Sequence, residues 1–99
     1  MNREEILDQA QRCVCGDREQ DYGSPENNFQ TIAELWSVYL GRLPKDAHGV
    51  PWLMPADVAA MLALLKIARI AGGGAKADNW VDLAGYAACG GELETEVRV

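Results

Sequence analysis

The segment DVAAMLALLKIARIAGGGAKADNWVDLAGY, Asp57 to Tyr86, decides the fold. Its first part is apolar on nearly all sides from Val58 to Ile70, broken only by Lys66 and Arg69. Pro55 suits the first position of a helix, and the run Gly72-Gly73-Gly74 stops one. The spacing therefore predicts a helix over 55–71, with Gly72 as a left-handed cap. A second helix is predicted from Asp78 to about Cys89, with Gly90-Gly91 breaking it. A helix that is apolar all round must be covered on all sides. Charges set in such helices cost free energy unless they are paired, bound or able to reach water.

Working outward, two more helices are legible. Asn2 is a cap with Glu5 three residues on, the spacing of a capping box. Ile6, Leu7, Ala10, Cys13 and Val14 then fall on one face of a helix over 3–15. Ser24-Pro25-Glu26 is a strong start signal for a helix over 25–41, whose stripe reads Phe29, Ile32, Ala33, Trp36, Tyr39 and Leu40. Arg42 to Met54 contains Pro44, Gly49 and Pro51 and is predicted to be irregular, held down by Trp52, Leu53 and Met54. No strand-like alternation or internal repeat is visible. The expected fold is a single all-α domain over 1–99, a four-helix bundle-like unit with a tail from 90 to 99.

Length and composition narrow the function. A 99-residue chain is one domain and buries only about 60–70% of the surface its unfolded form exposes. With 48% hydrophobic residues, three companion helices barely cover the 55–71 helix, so completion by homo-oligomerisation is expected. The net charge of -6 and the dispersed Lys and Arg argue against a duplex nucleic-acid partner. A small anionic ligand is compatible with a locally basic pocket. Cys13, Cys15 and Cys89 form no CxxC pair and read as reduced thiols. The polar start MNREEILDQ predicts no secretion signal, and no apolar run reaches the ~20 residues of a membrane span. A cytoplasmic location follows.

Five charged residues of the deciding segment are candidates for chemistry. Asp78 and Asp82 lie one turn apart on one helix face, where two carboxylates invite a cation. Mg²⁺ suits them because it takes carboxylate oxygens together with ligand phosphates. Asp57 can complete a trio if the helices pack side by side. Lys66 and Arg69 share a face near the end of their helix and can clamp phosphates. The structural alternatives stand beside these. Asp78 can simply start its helix, Asp82 can pair with Lys66 or Arg69, and cations at a helix end complement its dipole. Tyr86 follows Asp82 on the same face, with Gly85 beside it. In the connector 17–23, Arg18 and Tyr22 can hold a phosphate and stack a base. Asn27 and Asn28 read better as an ordinary polar helix start, His48 has no triad partners, and the three tryptophans read as core or interface anchors.

The blocks D21-Y22-G23, N28-F29 through Y39-L40, D57-V58 through A68-R69, and D78-N79 through G85-Y86 together resemble a family of small phage and prophage proteins. These are of unassigned function and similar to nucleotide-modification-associated domains. The resemblance covers residues 17–89, and its last two blocks are the most specific. That family is distantly similar to the MazG-type all-α nucleoside triphosphate pyrophosphohydrolases, which hold Mg²⁺ on acidic helix pairs in oligomeric bundles. The resemblance sets Asn79 and Asp82 at the place of the MazG-type ExxD pair. The ExxE pair is missing, because Asp57 is the only acid in the core of its helix. It implies an infected or lysogenic bacterial host.

Three functions compete on this evidence. The first is a protein that binds or sequesters a phosphorylated nucleotide, cyclic ones included, through Arg18, Tyr22, Lys66, Arg69, Asn79 and Tyr86. The second is a Mg²⁺-dependent pyrophosphohydrolase with the ion on Asp57, Asp78 and Asp82. The third is a non-enzymatic interaction protein whose charges are salt bridges. The first two require those acids and bases to converge on one polar cleft.

Overall fold

The computed structural model describes residues 1–17, 25–73 and 76–96. Its described residues form four helices and no strand, so the chain is all-α. Helix α1 spans Arg3–Arg12 and loosens into a π-helical turn over Cys13–Asp17. Helix α2 spans Pro25–Arg42, α3 Pro55–Ala71 and α4 Ala77–Thr95.

The local signals act much as their chemistry requires. Asn2 Oδ1 accepts the Glu5 amide at 2.9 Å, closing the start of α1. At the start of α3, Asp57 Oδ2 reaches back to accept the Met54 amide at 2.8 Å. Gly72 closes α3 in the right-handed region (φ -75°), and the left-handed step falls one residue later, at Gly73 (φ 118°). Lys45 caps the end of α2 by donating from Nζ to the carbonyls of Gly41 (3.0 Å) and Leu43 (3.1 Å). The α2–α3 connection is a tight turn in which Asp46 Oδ1 accepts from His48 and Val50, with Gly49 at φ 79°. Trp52, Leu53 and Met54 do not pin it to the bundle, because all three are exposed.

Gly90-Gly91 does not end α4, which runs on to Thr95. The reason is packing. A Cβ on Gly90 would sit 3.0 Å from Ala59 Cβ, so glycine there lets α3 and α4 approach closely.

The helices α2, α3 and α4 form the packed unit. α2 lies against α3 through Trp36 Nε1, which donates to the Met61 carbonyl at 2.7 Å, and through the Tyr39 hydroxyl, which donates to Asp57 Oδ1 at 2.6 Å. The inward face of α2 carries Ile32, buried, with Leu35, Trp36 and Tyr39 half-buried. Phe29 and Ala33 point outward, so this face is turned toward Asn28 relative to the predicted stripe. The fully buried apolar set is small among the described residues: Ile32, Ala59 and Ala68. Helix α1 has no buried residue at all.

Candidate functional site

Four fixed points set the helix registers. Trp36 meets Met61 and Tyr39 meets Asp57, so α2 and α3 run antiparallel. Lys66 meets Asp82 and Ala59 meets Gly90, so α3 and α4 run antiparallel too. Asn28 precedes Trp36 by as many residues as Arg69 follows Met61, and Asn79 precedes Asp82 by as many as Arg69 follows Lys66. Asn28, Arg69 and Asn79 therefore sit at one level, the end of the unit where α2 and α4 begin and α3 finishes.

That level is polar inside. Asn79 is 1% exposed, and its Nδ2 has no hydrogen-bond partner among the described residues. Asn28 Oδ1 is likewise buried without one, and Arg69 Nε is buried. One turn deeper, Lys66 Nζ contacts Asp82 Oδ2 at 2.8 Å. The pair is lopsided: the Lys66 side chain is 10% exposed and that of Asp82 47%. Water reaches the acid while the base is enclosed. Ordinarily buried polar atoms are satisfied, and an orphaned one costs about 1–3 kcal/mol. Two polar atoms without partners among the described residues, at the end of the unit that also encloses a cation, suit a polar guest.

The acids do not gather as the sequence reading requires. Asp57 stands nine residues before Lys66 on α3, about 13 Å along the axis. It is occupied there, one oxygen by the Tyr39 hydroxyl and the other by the Met54 amide. These bonds hold its carboxyl below the usual range, the Tyr39 bond most strongly and the Met54 amide next, against the opposing effect of burial. The same bond, then burial and then the charges of Asp57 and Glu94, push the Tyr39 phenol up to about 12. Asp78 is exposed on the first turn of α4. Among the described residues no group of three or more His, Cys, Asp or Glu could hold a metal ion. The expected three-acid Mg²⁺ set is thus not assembled, because Asp57 serves its own helix start and the α2 contact.

Tyr86 separates from the cationic end as well. It lines a groove of about 490 Å³ along α3 and α4, together with Tyr39, Asp57, Glu94 and several small residues. Lys66, Arg69, Asn79 and Asp82 are not part of that groove. Arg18 and Tyr22 lie outside the described residues. Asn28 is the residue that the sequence reading undervalued. The signal for it was the spacing Asn28, Ile32, Trp36, Tyr39, which forms a helical face as regular as the one starting from Phe29.

Comparison with known proteins adds ancestry. Residues 5–94 match a family model described as a domain of unknown function, DUF6378. The chain belongs to this family. It is 43% identical over 86 residues to the Gene 55 protein of Mycobacterium phage D29, covering 87% of this chain and 51% of that protein. To the Gene 55 protein of Mycobacterium phage L5 it is 44% identical over 82 residues, 83% of this chain and 47% of the relative. The chain thus spans about half the length of the curated relatives it matches. No solved structure matches it. Among the described residues no helix is long and apolar enough to cross a membrane.

Proposed function

We propose that this chain binds a phosphorylated nucleotide at the level of Asn28, Lys66, Arg69 and Asn79, and holds it without turning it over. One observation carries the reading: the Asn79 side-chain amide is buried, lacks an acceptor among the described residues, and lies one turn from the enclosed Lys66–Asp82 pair. The inward groups from α3 and α4 at this end are mostly donors. Lys66 brings an ammonium, Arg69 a guanidinium and Asn79 an amide N–H. A phosphate offers them several acceptor oxygens and the opposite charge. Asn28 Oδ1 is an acceptor, which suits a donor on a base or sugar. Asp82 stays half in water and can give Lys66 up to an incoming phosphate at modest cost.

Binding is favoured over pyrophosphohydrolysis by where the acids lie. Metal-assisted phosphoryl chemistry needs carboxylates grouped on the ion. Asp57 is about 13 Å from Lys66 along α3 and engaged in other bonds. The phage relatives agree with a role in the cytoplasm of an infected or lysogenic host, where sequestering a linear or cyclic nucleotide is useful without catalysis.

The test is a thermal-shift panel of mono-, di- and triphosphates, cyclic nucleotides and orthophosphate, with and without Mg²⁺. At a ligand concentration a hundred times Kd the expected stabilisation is about 2.7 kcal/mol, seen as a clear rise in Tm. The rise should vanish in Lys66→Met. No shift with any nucleotide, or nucleotide breakdown during the assay, would overturn the proposal.

A further inference from the structure

The most conspicuous unused feature is α1. The apolar face of Ile6, Leu7 and Ala10, continued by Val14 in the π-helical turn, is entirely exposed, with Leu7 at 67%. A short amphipathic helix gains nothing from exposing such a face, and most helical stability in proteins comes from packing it. The molecule also carries unspent surface. Its accessible area is 7526 Å², against about 5,500 Å² for a folded monomer of its mass. The excess is more than the ~800 Å² per partner that a standard interface buries.

A receiving surface exists on the same chain. Among the residues lining the groove along α3 and α4 are the small Ala60, Ala63, Gly90 and Gly91. It continues past Ala56 and Glu94 into a second hollow of about 450 Å³ beside Met54 and Leu93. The stretch from the cap residue Met54 to Leu64 on α3 is about 15 Å long, the length of the ten-residue α1. Small lining residues let a helix backbone come close. Charge fits too. At about 100° per residue, Arg3 falls in the middle of the apolar face of α1, while Glu4, Glu5, Asp8 and Arg12 fall on the opposite side. The groove lining carries two acids, Asp57 and Glu94.

We infer that α1 of a second copy of this chain docks in the α3–α4 groove, reciprocally, so that two copies form a closed two-fold dimer. Ile6, Leu7, Ala10 and Val14 lie on the small residues of the groove, and Arg3 reaches Glu94. Reciprocal exchange covers both exposed faces at once and leaves no open end for further growth.

Sedimentation velocity on the full chain over a range of concentrations tests this. The expected species is a dimer of the 10.8 kDa chain. Ile6→Asp with Leu7→Asp should raise its Kd about a hundredfold or more. Because α1 buries nothing in the single chain, helicity by circular dichroism should change little, which separates lost docking from lost folding. Arg3→Glu should weaken the dimer, and adding Glu94→Lys should restore it. Position is read by mixing a chain whose only cysteine is Leu7→Cys with one whose only cysteine is Ala63→Cys. A cross-linked heterodimer is expected. A monomer at every concentration would overturn the inference. So would a dimer indifferent to the α1 substitutions, failed charge-swap rescue, or cross-linking only within a single chain carrying both cysteines.

Discussion

At the scale of single residues, the chain places its charges for two separate purposes. Lys66 and Asp82 belong to the polar end, and the sequence already offered their pairing as the plain alternative to a metal site. Asp57 looked equivalent to Asp82 in the sequence, yet it closes the start of α3 and takes the Tyr39 hydroxyl. The sequence concealed this because the residue at the cap position is Met54, which gives no side-chain warning of a cap. The pH dependence follows from the sign of the shift. A carboxyl held below its ordinary value in the folded chain contributes stability above that ordinary value, 3.8. The contribution is lost as pH falls through the lower, folded value. Tyr39→Phe should therefore destabilise by about 1 kcal/mol near neutral pH, a modest figure because the pair is partly exposed. The gap between variant and wild type should narrow in urea melts carried out well below pH 3.8. A gap of the same size at both pH values would show that the hydroxyl contributes by packing alone. Replacing Asp82 with Asn leaves an enclosed ammonium facing a neutral amide. It should cost about 1–2 kcal/mol, less than a fully buried pair because Asp82 is half in water. Chemical denaturation of the two proteins side by side measures it.

At the scale of elements, the helices were legible where their punctuation was chemical and misread where it was tertiary. Pro55 and Gly72-Gly73 bracket α3 at the expected residues, because proline and glycine act there through local backbone geometry. Gly90-Gly91 carried the same local signal but serves α3–α4 contact, a cause that lies in another helix. This separates two kinds of helical glycine. Gly85 has open space where a Cβ would go, so Gly85→Ala should stabilise by about 0.5–1 kcal/mol. Gly90→Ala gains the same helix propensity but forces the new methyl to 3.0 Å from Ala59 Cβ. It should gain nothing or lose stability. Thermal melts of the two variants read the difference directly, and equal stabilisation by both would contradict the close approach. The stripe of α2 shows the same limit. Asn28 and Phe29 both begin acceptable helical faces, and only the partner α3 selects between them.

At the scale of the whole molecule, the chain is larger than its mass requires. Its radius of gyration is 16.5 Å, against about 13 Å for a compact chain of this length. If two copies complete one another, Tm should rise with protein concentration, as it does when folding and assembly are linked. A concentration-independent Tm would mark a self-sufficient monomer. The proposed binding of a nucleotide rests on the polar end of the bundle, on the buried Asn79 amide beside the Lys66–Asp82 pair. That claim is tested most directly by Asn79→Leu, a substitution of similar volume that removes the buried amide whose Nδ2 has no partner among the described residues. Isothermal titration with the best nucleotide from the panel should give saturable binding to wild type. In Asn79→Leu the affinity should fall about tenfold or more, while stability without ligand is kept or raised. Unchanged affinity in the variant, or lost affinity together with a collapsed fold, would contradict the placement of the ligand at Asn79.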